Sequence, residues 1–122
     1  MGTARGIVLF AHGSRDARWR EPVEAVATRI GQIDPGVRVR CAYLEAATPD
    51  LATALSELVA GGATEIDVLP IFLGVGKHLR EDLPGLIGAL QQAHPGLVLR
   101  LRTAVGETPE LVEALARIAL KI

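Results

Sequence analysis

Three side chains able to bind a metal or carry a proton stand where apolar runs end. His12 follows Leu9-Phe10-Ala11, Glu45 follows Tyr43-Leu44, and His78 closes the stretch Pro70-Ile71-Phe72-Leu73-Gly74-Val75-Gly76-Lys77-His78. Two imidazoles and a carboxylate form a borderline N/O donor set, suited to Fe²⁺, Co²⁺, Ni²⁺ or Zn²⁺ and poor for Ca²⁺ or Mg²⁺. Three protein ligands leave coordination positions open, so an ion held there is exchangeable or able to meet a substrate. Imidazole, with an ordinary pKa of about 6.5, can also take up protons near neutral pH.

Around these three lie Ser14 and Arg15 directly after His12-Gly13, and Lys77 and Arg80 on either side of His78. They bring positive charge to a molecule whose total is nearly neutral, and would steer an anionic substrate locally. Gly13 removes bulk beside His12. Trp19 is read as a packing residue, and His94, before Pro95, as structural.

The elements that must position these groups alternate along the chain. Gly6 to Ala11 is a continuous apolar run that fits a strand buried on both faces. A helix is expected next, starting between Asp16 and Glu21, with Val23, Val26, Ala27, Ile30 and Ile33 on one side and Asp34-Pro35-Gly36 as its stop. Val37 to Leu44 alternates with Arg38 and Arg40, as an edge strand does. Thr48-Pro49-Asp50 reads as a helix start, with Thr48 the cap and Pro49 the first helical residue, leading to Leu51, Leu55, Leu58 and Val59. Glu65 to Leu73 is a second greasy strand, within which Pro70 should force a bulge or an end. The third helix is placed after Asp82, with Pro84 in its first turn and Leu83, Leu86, Ile87 and Leu90 buried. Leu97 to Thr103 alternates again, and Thr108-Pro109 starts a fourth helix whose buried stripe is Leu111, Leu115, Ile118 and Ile122.

Four β-α units with short connections require a parallel sheet with helices on both faces. Two greasy strands flanked by two alternating ones favour a four-stranded order 2-1-3-4, a three-layer αβα arrangement of flavodoxin-like type. In such sheets ligands gather beyond the carboxyl ends of the strands, where the winding reverses. His12, Glu45 and His78 follow three adjacent strands at about 4.8 Å per strand, so they can converge.

The totals set bounds. A length of 122 residues is that of one domain, and 49% apolar with only 3% aromatic residues leaves the core to Ala, Val, Leu and Ile. A net charge of −1, from 13 Lys and Arg against 14 Asp and Glu, carries no basic footprint for nucleic acid. The single cysteine, Cys41, excludes an internal disulfide and a thiolate-only metal cage, and is read as a small core residue. The apolar segment near the N-terminus is too short for a signal peptide or a membrane span, so a soluble cytoplasmic protein is expected.

Ala11-His12-Gly13-Ser14-Arg15 after the first strand, Tyr43-Leu44-Glu45 with Thr48-Pro49 after the second, and Pro70 to His78 with Asp82-Leu83-Pro84 after the third occur in the order seen in the short sirohydrochlorin chelatases. The sequence resembles that family over essentially its whole length. The resemblance implies a single chelatase-like domain over 1–122 and insertion of Co²⁺ or Fe²⁺ into sirohydrochlorin, for cobalamin or sirohaem synthesis. It implies His12 and His78 as metal ligands, with His12 also a proton acceptor, and Glu45 as a ligand to metal or substrate. Leu73, Gly74, Val75, Gly76 and Lys77 would line the tetrapyrrole pocket, with Ser14 and Arg15 beside it. The metal, Co²⁺, Fe²⁺ or Ni²⁺, is then a substrate and no organic cofactor is needed. One such unit covers a single face of the macrocycle, so a homodimer with facing clefts is expected, and neither nucleic acid nor membrane is a partner.

Two other readings stay open on the residues alone. A flavodoxin-like module could carry metal or bind a protein without catalysis. A histidine-nucleophile phosphatase is prompted by His12-Gly13, although those enzymes need arginine where Ala11 stands. Gly74-Val75-Gly76-Lys77-His78-Leu79 departs from a dinucleotide fingerprint at its sixth position, Leu79, and follows the third strand.

Overall fold

The computed structural model describes residues 4–121. The strands are β1 (Arg5–Ala11), β2 (Arg38–Tyr43), β3 (Glu65–Pro70) and β4 (Val98–Leu101), and the helices are α1 (Glu21–Ile33), α2 (Leu51–Ala60), α3 (Lys77–Ala93) and α4 (Pro109–Leu120). Short 3₁₀ turns at Ala17–Trp19 and Val105–Glu107 precede α1 and α4. All strand pairs are parallel, and the order is β2-β1-β3-β4, the one the hydrophobic patterning favours.

The two greasy runs are the inner strands: β1 packs on both faces, while β3 packs Ile66 and Val68 on one face and Leu69 on the other, where Arg5 and Arg100 lie on Asp67. Val8, Phe10, Ile66 and Val68 point to one side, where Leu55 and Leu58 of α2 and Leu83 and Leu90 of α3 bury against them. Leu9, Ala11 and Tyr43 point to the other, where Val23 of α1 packs. Cys41 is partly buried in this second layer, and burial pushes its thiol pKa up. β3 ends at Pro70, the residue that cannot continue the ladder as a donor.

Four details depart from the sequence expectations. The second helix starts at Leu51, capped by Asp50, whose carboxylate accepts from the Thr53 amide at 2.8 Å. Thr48 and Pro49, joined by a cis peptide, stay outside because the Pro49 carbonyl is taken by the Tyr43 amide at 2.9 Å. The third helix starts at Lys77, not after Asp82: Gly76 is its cap, and the Arg80 amide bonds the Gly76 carbonyl at 3.0 Å. Pro84 therefore lies inside α3, where its missing N–H forgoes one bond without ending the helix. Trp19 is 73% exposed and packs no core.

The fourth departure is the largest. No residue of α4 is buried; Leu115 is 43% and Ile118 62% exposed, and the helix rests chiefly on the Val105–Glu107 turn. Periodicity shows that a helix has an apolar face but not what lies against it. Ile122 lies outside the described residues.

Candidate functional site

The β1–β2 ladder continues past the ends of both strands. The Leu44 amide donates to the Ala11 carbonyl at 2.9 Å, and the Glu45 amide to the His12 carbonyl at 3.0 Å. These two bonds hold residues 12 and 45 side by side, and His12 Nε2 lies 2.9 Å from Glu45 Oε1. Both side chains are about two-thirds exposed, so the pair is open to an incoming ion or ligand.

Gly13 makes this closure possible. Its φ is +99°, and a Cβ there would overlap the Glu45 carbonyl oxygen and stand 3.2 Å from the Tyr43 Cβ. Only glycine combines that backbone with that approach. Beyond Glu45 the chain turns through Ala46, a left-handed residue with φ 60°. Ser14 serves the same loop: its Oγ accepts from the Asp16 amide at 3.0 Å.

On the other side, the Ile71 amide bonds the Phe10 carbonyl at 2.7 Å and carries β3 alongside β1 to the edge of the site. Phe72 then packs edge-on against Phe10, with ring centroids 6.1 Å apart. The loop from Leu73 to Gly76 follows. Its glycines meet no crowding, since a Cβ on Gly74 or Gly76 would touch nothing within 4 Å. The loop is fixed instead by Gly106, whose amide donates to the Phe72 carbonyl at 2.9 Å and whose missing side chain lets the Leu73 backbone lie against it.

His78 and Lys77 are exposed in the first turn of α3. The structure thus joins His12 to Glu45 but leaves His78 outside the pair. Among the described residues no three His, Cys, Asp or Glu side chains are grouped closely enough to hold one ion. Arg15 is exposed, whereas Arg80 is tied to Glu107. Arg80 and Arg102 line a cavity of about 160 Å³ with Val75 and Leu83, at the carboxyl ends of β3 and β4.

Gly106, Arg102 and Ala46 do not stand out in the sequence. A single glycine between a strand and a helix reads as a turn, and its partner Leu73 is remote in the chain. Arg102 looks like any outward residue of an alternating strand.

A parallel three-layer αβα domain with an imidazole–carboxylate pair at the carboxyl ends of β1 and β2 defines the class. Within it, a family model, CbiX, matches residues 6–120, and the chain belongs to the CbiX family. A sirohydrochlorin cobaltochelatase of Methanosarcina acetivorans is 34% identical over 82 residues, which are 67% of this chain and 63% of that protein. A sirohydrochlorin cobaltochelatase of Saccharolobus solfataricus is 35% identical over 83 residues, with the same 63% share. The matched segment thus spans somewhat less than two thirds of the length of these relatives. The crystal structure of a CbiX protein from Marinobacter aquaeolei superposes with a TM-score of 0.80 at 36% identity, covering 94% of this chain and 93% of that one. The sirohydrochlorin chelatase SirB of Bacillus subtilis, in complex with cobalt, shares the fold with a TM-score of 0.78 at 23% identity. There the chain covers 94% of its own length but 49% of SirB.

Proposed function

We propose that this protein inserts a divalent metal, Co²⁺ or Fe²⁺, into a sirohydrochlorin-type tetrapyrrole. The observation that carries the reading is the His12–Glu45 pair, held open at the carboxyl edge of β1 and β2 in a chain of the CbiX family. Insertion releases two pyrrole protons for each M²⁺ taken up, so the site needs a metal ligand, a base and a seat for a flat polycarboxylate.

The carboxylate of Glu45 can only accept, so in the observed pose the ring hydrogen of His12 sits on Nε2 and a neutral ring presents its lone pair at Nδ1. That lone pair can take up a proton. An ion can also replace the hydrogen between Nε2 and Oε1: two legs of about 2.1 Å at a tetrahedral angle span roughly 3.4 Å. Opening the 2.9 Å contact that far needs only a small movement of two exposed side chains. His78, which stands apart in the observed pose, must swing in from α3 to complete the ligand set, and Glu45 binds metal or substrate.

The Leu73–Lys77 loop forms one wall for the macrocycle, and Ser14, Arg15 and Lys77 meet its rim. Leu73 is 70% exposed, an apolar surface suited to a flat ring. Residues 1–122 act as a single chelatase-like domain, paired with a second copy so that two clefts enclose the disc. No helix among the described residues is long and apolar enough to cross a membrane, and we place the reaction in the cytoplasm.

The test is the absorption change of sirohydrochlorin on adding Co²⁺ or Fe²⁺, with wild type, His12→Ala and His78→Ala. Both variants are expected to fall to the protein-free rate. Each should unfold within about 0.5 kcal/mol of wild type, because both side chains are exposed. A full rate in either variant overturns the assignment, and tight Co²⁺ binding with no spectral change would mark a metal carrier instead.

A further inference from the structure

The cavity at the carboxyl ends of β3 and β4 holds charge that the metal site does not use. β4 keeps its register with β3 one residue past its end, where the Arg102 amide donates to the Val68 carbonyl at 2.9 Å. Arg102, Thr103 and Ala104 then line the cavity opposite α3, whose Leu83 and Pro84, with Leu101, make its walls largely apolar. Val75 belongs both to this cavity and to the Leu73–Lys77 loop, so the two are continuous.

Two guanidiniums belong to the lining, and only one is neutralised. Arg80 is paired with Glu107 at 2.5 Å, an ion pair that joins α3 to the Val105–Glu107 turn. Arg102 is exposed, and among the described residues its side chain has no hydrogen-bond or ion-pair partner. Thr103 adds a hydroxyl. With Glu107 set against Arg80, the lining carries one net positive charge and so matches one carboxylate. Its position also fits. β3 and β4 lie one and two strands from β1, about 5 and 10 Å away. A macrocycle centred at His12 therefore meets the cavity with its rim and not with its metal-binding core.

We infer that Arg102, with Thr103, holds one peripheral carboxylate of the tetrapyrrole in this cavity, the methylenes of that arm lying on Leu83, Pro84 and Leu101. The inference rests on the tetrapyrrole reading above and names how one edge of the substrate is gripped. A cavity of about 160 Å³ admits a short carboxylate arm. It lies well below the roughly 300–1,000 Å³ of a pocket that encloses a whole small-molecule ligand. The guanidinium fork offers a carboxylate two parallel hydrogen bonds. Glu107, by occupying Arg80, leaves no charge for a second carboxylate. One anchored arm fixes the rotation of the disc over the metal site, which contact with an apolar surface such as Leu73 does not.

The test is the fluorescence anisotropy of metal-free sirohydrochlorin titrated with the full chain, beside Co²⁺ insertion by the same protein. Arg102→Gln should raise Kd by about ten- to a hundredfold, the loss expected for a charge-assisted hydrogen bond. Arg102→Lys, which keeps the charge but not the fork, should fall between. Added salt should weaken binding more steeply in wild type than in Arg102→Gln. The fully methyl-esterified macrocycle, whose arms carry no charge, should bind wild type and Arg102→Gln alike. Both variants should melt with wild type, because the exposed Arg102 side chain has no partner among the described residues. A wild type that neither binds nor inserts overturns the tetrapyrrole reading and the subsite with it. A wild type that binds and inserts while Arg102→Gln keeps its Kd overturns the subsite alone. An equal loss with the ester overturns the carboxylate assignment, since packing and not charge would then be at work.

Discussion

Replacing Gly13 with alanine tests how the site is held together. At φ +99° an L-residue is strained by about 1–3 kcal/mol. The added methyl would also overlap the Glu45 carbonyl oxygen, so one backbone must retreat by about 1.5 Å to restore ordinary contact. That retreat pulls on the Glu45–His12 and Leu44–Ala11 backbone bonds, each contributing about 0.5–1.5 kcal/mol. The sum is a loss of about 2–6 kcal/mol, out of the roughly 5–15 kcal/mol typical of whole domains. At about 4 °C per kcal/mol, the melting temperature should fall by roughly 8–24 °C. Gly31→Ala, in α1 with nothing within 4 Å of the new methyl, is the control and should gain up to about 1 kcal/mol. Circular dichroism melts report the stability. The rate of Co²⁺ insertion into sirohydrochlorin reports whether His12 and Glu45 still meet, and should fall in Gly13→Ala even at temperatures where that variant is folded. A Gly13→Ala protein that melts with wild type and keeps its rate would refute the reasoning.

Further perturbations probe other parts of the molecule. Gly106→Ala should push the Leu73 backbone away and slow metal insertion while the sheet persists, which backbone NMR shifts confined to the two loops would report. Leu55→Ala, wholly buried between α2 and the sheet, should cost about 2–5 kcal/mol in urea unfolding. The hydrogen bond from Arg100, aided by Arg5, holds the Asp67 carboxyl below the usual carboxylate range against the opposing effect of burial. Because the folded state lowers this pKa, its contribution is present above the unfolded value of about 3.9 and lost as pH falls through the folded one. Asp67→Asn should therefore be about 1.5–3 kcal/mol less stable at neutral pH. That gap should close in acid, which urea melts across the acid range would follow.

The order of strands was legible in the sequence because burial leaves a mark on each one. A strand covered on both faces is continuously apolar, as β1 is from Gly6 and β3 is from Val68, and an edge strand alternates, as β2 and β4 do. The same logic singled out His12 and Glu45 as candidates, since ligands gather where parallel strands end. Helix starts were less legible. Thr48-Pro49 has the composition of a cap, yet the Tyr43 amide claims the Pro49 carbonyl and the cap passes to Asp50. Pro84 resembles a first-turn proline, but α3 begins at Gly76 and runs through it.

Residue type and spacing by themselves determined the parallel αβα sheet, its inner strands, and the candidates His12, Glu45 and His78, because hydrophobic period and strand ends are local properties. Only the tertiary structure decided that His12 meets Glu45 at 2.9 Å while His78 stands apart, that Gly13 and Gly106 admit the approaching backbones of residues 45 and 73, and that α4 keeps its apolar face uncovered. Those facts depend on which distant segments come into contact, and no single stretch of chain contains both sides of a contact.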